Sequence, residues 1–553
     1  MNDLHKSKPL IWGLLFAFCL VWFYGLGART LVPTDEGRYA EMAREMVTTN
    51  DWITPRLNGI KYFEKPPLQD WMNALTFKVF GFGEWQARLW TGLSGLFGIA
   101  LVAHAGRKLF GARVGLTAAV VLASSFFWAA LAHVNTLDMG LAGMMTLSLC
   151  GLLLAQRNDA SLRERRNWML ACWAGMALAV LSKGLIGVVL PGAVLVLYTV
   201  IARDWAIWKR LHVGLGLLVF FAITTPWFVL VSLANPEFPH FFFIHEHLQR
   251  FTSKIHHRAG PWYYFMPILL LGVFPWLGVL AQSLWNARRD DAGRFKPKML
   301  LLVWSVFIFV FFSASGSKLP SYILPIFPAL ALLIACHLDQ VSGKTVAFSA
   351  SLLALFSAIG LFFVPRIATL RTDPYELPLY QSYTYWVAAA AVLALVGSLI
   401  AVWLSRRQKE SAILVLAVTG FLGGQILMLG HDPLGRYAAG VLHLPAIEAE
   451  LTAQTPLYSV GRYEQALPFY LRRTMILVEH ADELAFGLQQ EPHLWLPTRD
   501  AFVAQWTAYH ANGKKAVAIM SLPAYADFQK RQLPMRILGQ DPRRVIVAND
   551  PKN

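Results

Sequence analysis

Apolar runs long enough to cross about 30 Å of hydrocarbon recur along the chain as far as residue 430, separated by short polar segments. They predict thirteen membrane-spanning helices, near 9–27, 87–105, 114–131, 139–156, 168–181, 185–201, 213–232, 262–283, 299–313, 319–336, 346–364, 384–404 and 411–430. The first run is long, and its flank Gly25-Leu-Gly-Ala-Arg-Thr30 offers no Ala-x-Ala cleavage pattern. It therefore reads as a retained helix rather than a signal peptide.

Between the spans the pattern changes period. Over 36–48, Tyr39, Met42, Ala43, Met46 and Val47 recur at helical spacing with Arg38, Glu41, Arg44 and Glu45 between them. That predicts an amphipathic helix lying on the membrane surface. A second such helix is expected over 68–80, after the Pro66-Pro67 pair. The long connector 233–261 opens Asn235-Pro-Glu-Phe-Pro239 and continues through Phe241-Phe-Phe-Ile-His-Glu-His-Leu-Gln-Arg-Phe251, aromatics suited to a headgroup layer. From about 431 short apolar runs at 456–460, 475–478, 493–496 and 516–520 alternate with helical stretches. This predicts a small α/β domain over 431–553 with mostly parallel strands, set beside a transmembrane domain over 1–430 with connectors 28–86 and 233–261.

Charge fixes an orientation. Of 553 residues 56% are hydrophobic and only 15% charged, against about 25% charged in a soluble domain. Lys and Arg gather at Lys6 and Lys8, 106–113, 157–166, 203–210, 288–298 and 406–409. With thirteen spans all of these fall on one side, the cytoplasmic one, and only the connector near 337–344 is poor in positive charge. The connectors 28–86 and 233–261, the turn at Asp138 and everything after 430 then face outward. The net charge of +16 is mostly this topological signal; scattered basic loops are not a nucleic-acid surface. Cys19, Cys150, Cys172 and Cys336 all lie in predicted spans, which leaves no expected disulfide. No P-loop or Gly-x-Gly-x-x-Gly pattern occurs in the tail, so no nucleotide cofactor is expected.

Ionisable groups at the edge of hydrocarbon are costly and tend to mark function. Asp35, Glu36, Glu64 and Lys65 stand in the first outward connector, and Asp138 follows His133-Val-Asn-Thr-Leu at the outward start of the fourth span. Asp35 and Asp138 fit either helix capping or a shared reacting site. Lys65, after the aromatic pair Tyr62-Phe63, suits a lipid phosphate, as does Arg250 with its forked guanidinium. Arg38 and Tyr39, flanking Asp35, add donors. Lys183 in Leu181-Ser-Lys-Gly and Lys318 with Tyr322 in Lys318-Leu-Pro-Ser-Tyr322 sit on outward turns and, unless they snorkel, extend a cationic border for an anionic lipid substrate. His245 and His247 with Glu64 are the candidate ligands of a divalent metal ion, against the plainer reading of solvated surface histidines.

These strings resemble a known family. Pro33-Thr-Asp-Glu-Gly-Arg-Tyr-Ala-Glu41, Trp52-Ile-Thr-Pro-Arg-Leu-Asn-Gly59, Tyr62-Phe-Glu-Lys-Pro-Pro-Leu68, Leu181-Ser-Lys-Gly184, Glu246-His-Leu-Gln-Arg-Phe251 and Lys318-Leu-Pro-Ser-Tyr-Ile-Leu-Pro325 are similar to the lipid A 4-amino-4-deoxy-L-arabinose transferases of bacteria. Those belong to the glycosyltransferase C superfamily, with the protein O-mannosyltransferases as relatives. Gly461-Arg-Tyr-Glu-Gln-Ala-Leu-Pro-Phe-Tyr470 extends the likeness more loosely into the tail. The resemblance implies a polytopic α-helical membrane enzyme with a soluble α/β tail, resident in the bacterial inner membrane with its site on the periplasmic side. It implies an aminosugar donor on undecaprenyl phosphate, a lipid A acceptor, surrounding inner-membrane lipids, a monomer, and resistance to polymyxin and cationic peptides. By position, Asp35 and Asp138 take the place of the family's two acidic residues, Glu64 and Lys65 its Glu-Lys-Pro motif, and Arg250 its loop arginine. A single displacement would invert the anomeric centre. The rival readings are a polyprenyl-dependent transferase with a hydroxyl acceptor and, further behind, a transporter. The chain lacks the internal repeat expected of many transporters.

Overall fold

The computed structural model describes residues 8–249, 260–289, 293–371 and 373–549, with residues 8, 10 and 246–249 through their backbone alone. The helices are α1 (Lys8–Gly27), α2 (Asp35–Thr49), α3 (Leu68–Phe80), α4 (Glu84–Phe110), α5 (Ala112–Ser124), α6 (Phe126–Leu131), α7 (Leu137–Ala155), α8 (Leu162–Lys183), α9 (Ile186–Ala202) and α10 (Val213–Ala234). They continue as α11 (Phe265–Gly272), α12 (Leu277–Asn286), α13 (Pro297–Ala314), α14 (Phe327–Gln340), α15 (Gly343–Ile367), α16 (Leu377–Ser405) and α17 (Lys409–Gly430). Every predicted span falls largely on helix, with breaks inside 114–131 and 262–283. Among the described residues eight helices are long and apolar enough to cross a bilayer, and the bent pair α11–α12, turning by 106°, makes a ninth. The expected span 114–131 is interrupted at Ser125, which adopts an extended backbone between α5 and α6.

Helix α7 is buried along nearly its whole length, which makes it the centre of the bundle. It runs antiparallel to α8, and the two approach closely. A Cβ on Gly175 of α8 would stand 2.7 Å from the Ser148 nitrogen of α7, so a small residue there lets the backbones touch. A capping box at Ser161 and Glu164 starts α8 after the turn. This geometry sets the first turn of α7 beside the last turn of α8.

The first connector folds differently from the expectation. Helix α2 does not lie on a membrane surface: Glu36 through Met46 are all buried. Its polar face is covered by the C-terminal domain, which supplies partners for the charges that a lipid–water interface would otherwise have solvated. After α2 comes a hairpin, β1 (Arg56–Leu57) and β2 (Ile60–Lys61), turning through Asn58 and Gly59 at positive φ. Asn58 Nδ2 donates to the Met475 carbonyl and its Oδ1 accepts from the Met475 nitrogen, both at 2.7 Å. The side-chain amide thus imitates a neighbouring strand. In the second connector Phe238, Phe241 and Phe242 are buried among Phe63, Trp227 and Phe486 rather than facing headgroups, because the first connector and the C-terminal domain cover them.

The C-terminal sheet has the order β5-β4-β3-β6-β8-β7. Strands β3 (Leu457–Val460), β4 (Ile476–Val478), β5 (Trp495–Leu496) and β6 (Val517–Met520) are parallel, as their apolar runs predict. The antiparallel pair β7 (Arg536–Asp541) and β8 (Arg544–Ala548) is an addition to that expectation.

Candidate functional site

The end of the α7–α8 pair where Asp138 and Lys183 meet gathers several of the candidate site residues. Asp138 lies in the first turn of α7, where Thr136 at the N-cap makes no side-chain capping bond. Asp138 does not cap the helix; it pairs through Oδ1 with the Lys183 ammonium at the last residue of α8. The same ammonium sits 4.7 Å over the Tyr322 ring. Asp35, first residue of α2, acts electrostatically on Lys183 as well. Thr34, not Asp35, occupies the N-cap position of α2. Asp35 therefore keeps its carboxylate for other work, and 43% of its side chain is exposed. Asp35, Asp138, Lys183 and Tyr322 thus come together from four separate parts of the chain.

Arg38 stands at the border of this site with both terminal nitrogens engaged. Its Nη1 lies 3.4 Å from Asp35 and its Nη2 2.6 Å from Glu483 of the C-terminal domain. Tyr39 and Tyr62 are buried beside it, with the Arg38 guanidinium 5.9 Å over the Tyr62 ring. Burial, reinforced by Asp35 at Tyr39 and by Glu64 at Tyr62, pushes both phenols well above their ordinary range. Both stay neutral at physiological pH, and the Tyr62 hydroxyl is buried without a hydrogen-bond partner among the described residues. The Lys65 ammonium donates to the Glu64 carbonyl at 2.8 Å and stands 3.8 Å from the Glu64 carboxylate.

One expectation changes. Lys318 does not extend a cationic border: its ammonium turns inward to the carbonyls of Phe312, Ser313 and Ser315, closing the C-terminal end of α13. Terminal carbonyls with no helical partner are a stronger attraction than open water. His245 stacks on Phe241 with ring centroids 5.1 Å apart. Among the described residues no group of three His, Cys, Asp or Glu side chains is placed to hold a metal ion. The His247 side chain and Arg250 lie outside the described residues.

Sequence reasoning missed the support beneath the site. Glu36, adjacent to Asp35, is fully buried and bonded to Arg88 of α4 through Nε at 2.6 Å and Nη2 at 2.9 Å. It also accepts from the backbone nitrogens of Val32 and Asn135. The Asn135 Oδ1 in turn accepts from Gln69 and Asn73 of α3. An arginine inside the predicted span 87–105 was the available signal. Glu483 gave none, since its role depends on docking of the distant tail.

Comparison with known proteins identifies the assembly. Residues 443–549 match the family described as aminoarabinose transferase C-terminal domain, and residues 64–230 match dolichyl-phosphate-mannose-protein mannosyltransferase. The crystal structure of ArnT from Cupriavidus metallidurans bound to undecaprenyl phosphate superposes with a TM-score of 0.93 at 44% identity, covering 98% of each chain. An undecaprenyl phosphate-alpha-4-amino-4-deoxy-L-arabinose arabinosyl transferase of Pectobacterium carotovorum is 30% identical over 94% of each chain. One from Proteus mirabilis is 32% identical over 71% of this chain and 72% of its own. The match to one from Edwardsiella ictaluri, at 32% identity, spans 60% of that relative's length. By full-length similarity, bundle and tail together, this multi-pass membrane protein belongs to the undecaprenyl phosphate-aminoarabinose arabinosyl transferase family.

Proposed function

We propose that this chain transfers 4-amino-4-deoxy-L-arabinose from undecaprenyl phosphate to phosphate groups of lipid A, at the periplasmic face of the bacterial inner membrane. The added amine offsets lipid A charge and lowers its attraction for polymyxin and cationic peptides. The full-length similarity to arabinosyl transferases carries this reading. The one-sided distribution of basic loops supports the orientation.

The chemistry asks for charge placement more than proton transfer. A lipid A phosphate oxygen attacks the anomeric carbon as the bond from that carbon to the polyprenyl phosphate oxygen breaks. The attacking oxygen is already anionic near pH 7, so a general base is not required. The leaving phosphate gains negative charge and needs fixed positive charge; Lys65 and Arg250 are the residues assigned to it. The sugar ring develops positive charge, and Asp35, partly exposed and acting electrostatically on the Lys183 that pairs with Asp138, offsets it. Lys183 keeps two carboxylates together that would otherwise repel. Attack opposite the leaving group inverts the anomeric centre.

The test is reconstitution with lipid A and the polyprenyl-linked aminosugar, read by mass spectrometry. Wild type adds one aminopentose to lipid A, and Asp35→Asn lowers the rate by roughly 10²-fold or more. Sugar arriving on protein instead of lipid A would overturn the reading, as would an Asp35→Asn variant of wild-type speed.

A further inference from the structure

The C-terminal domain meets the first turn of α2 through charge. Gln465 follows β3 and Glu483 follows β4, so both stand beyond the carboxyl ends of neighbouring parallel strands, the edge where such sheets bind their ligands. Here the bound group is a side chain of the protein itself. Glu483 sits in a single helical turn, Asp482–Leu484, whose last residue is buried in one apolar cluster with Tyr39, Tyr62 and Leu137, the neighbour of Asp138. Gln465 donates through Nε2 to Glu483 Oε1, while Glu483 Oε2 lies 2.6 Å from Arg38 Nη2. The carboxylate is thus held at both oxygens.

Arg38 stands between two carboxylates and is not shared equally. Asp35 is 3.4 Å from Nη1, against 2.6 Å from Nη2 to Glu483. The Asp35 side chain is 43% exposed and that of Glu483 only 18%, so water screens the Asp35 contact more. Both features favour Glu483, and the ranking matters to Asp35. A guanidinium left with Asp35 alone would close on it and offset its charge in the ground state. With a closer carboxylate at hand, most of the positive charge is answered elsewhere. Asp35 then keeps its negative charge for a cation that appears only as the glycosyl bond breaks.

We propose that Glu483 is a positioning residue for sugar transfer: it draws the Arg38 guanidinium away from Asp35, so that the C-terminal domain sets how much charge the reacting carboxylate has to offer. This rests on the transferase function proposed above and on Asp35 as the carboxylate that faces the sugar. An interaction felt only in the transition state changes kcat and leaves KM alone. That separates the role from simple anchoring of the domain. Glu483 acts through Arg38, so removing Arg38 should relieve the loss caused by substituting Glu483.

The test measures transfer from undecaprenyl phosphate carrying 4-amino-4-deoxy-L-arabinose to lipid A by the full chain in liposomes, with thermal unfolding followed in parallel. Glu483→Gln can still accept from Arg38 and Gln465 but carries no charge. It should lower kcat by roughly tenfold, with KM for the donor within about twofold of wild type. Adding Arg38→Gln should recover part of that loss, because no guanidinium remains to close on Asp35. Glu483→Asp keeps the charge but sets it back by one methylene; its kcat should fall about threefold, and it carries the test if Glu483→Gln does not fold. A folded Glu483→Gln or Glu483→Asp with wild-type kcat overturns the proposal, as does a loss confined to KM. So does a double variant as slow as Glu483→Gln or slower, the result of a residue that only holds the domain in place. Failure of both single variants to fold would make Glu483 a structural support and would also overturn it. A wild-type protein that moves no sugar to lipid A is a different result: it overturns the function itself, and this inference with it.

Discussion

Glu36 and Arg88 close a bidentate pair inside the protein, carboxylate against guanidinium at 2.6 and 2.9 Å, with neither side chain reaching solvent. Arg88 spends its remaining donors on the carbonyls of Leu26, Arg29 and Thr30, so it ties the end of α1 and the start of α2 to α4. The consequence falls on the next residue. With Glu36 locked, the first turn of α2 is held against α4, where Asp35 pairs with Arg38 and acts electrostatically on Lys183. Two adjacent acids thus differ in surroundings: Glu36 is locked in the turn, while 43% of the Asp35 side chain is exposed.

Truncating either partner strands the other as a buried charge, which costs about 3–5 kcal/mol. Arg88→Met should therefore lower the thermal unfolding temperature in detergent markedly, and a melting curve matching wild type would show the pair to be dispensable. Burial works against the Glu36 carboxylate, but Arg88 and Arg29 outweigh it and hold its pKa below the ordinary 4.5. A depressed folded pKa means the stabilisation is complete above about that value and is lost only as pH falls through the folded one. The contribution of this pair should be flat across neutral pH.

The Asp138–Lys183 pair makes a separate prediction. If the two act as one unit, Asp138→Asn, Lys183→Met and the double variant should each reduce transfer to a similar residual rate, with single losses of roughly 10²-fold. Lys183→Arg should recover little, because a fork differs from a point charge over the Tyr322 ring. Losses that multiply in the double variant would show two independent roles.

Much of this protein is written in its hydrophobic pattern, because a span or a buried parallel strand must be apolar wherever it sits. The helices and β3 to β6 follow from that constraint. Strand β7 did not, since it is largely exposed and reads Arg536-Ile-Leu-Gly-Gln-Asp541 without alternation. Asp35, Asp138, Lys183 and Tyr322 were each legible as charged or aromatic residues at span ends, but their meeting depends on helix packing that no local pattern encodes. Burial of α2 was illegible for the same reason. Its amphipathic spacing is compatible with lipid or with protein, and only the docked C-terminal domain, through contacts such as Asn58 on Met475, decides between them.

That docked surface carries a pH signature. Glu45 of α2 is buried with Glu41 close by and accepts from the Gly59 nitrogen at 2.7 Å. Burial first, and then Glu41, push its carboxyl up to about 8. In the unfolded chain it ionises near 4.5, while the folded protein retains the proton to about 8, so stability declines as pH rises through that window and levels off above it. Glu45→Gln, which can still accept from Gly59, should remove the slope and raise the unfolding temperature at pH 8. Equal pH dependence in variant and wild type, measured by thermal unfolding between pH 5 and 9 (an assay range of roughly this width spans the titration), would refute the assignment.

Gly37 tests how tightly the C-terminal domain must sit. A Cβ at this position would stand 2.6 Å from the Ala466 Cα and 2.6 Å from the Gln465 carbonyl oxygen, both backbone atoms that cannot swing aside. Gly37→Ala therefore forces the domain away from α2 and stretches the Arg38–Glu483 contact that borders the site. Overpacking of this kind costs about 1–3 kcal/mol, and the expected result is a lower unfolding temperature together with reduced transfer. Gly13→Ala in α1, where the added carbon meets nothing within 4 Å, is the control and should leave both unchanged. If the two substitutions behave alike, the tail is a loosely attached cap. If only Gly37→Ala loses activity while the bundle remains folded, close docking of the C-terminal domain is part of what assembles the catalytic site.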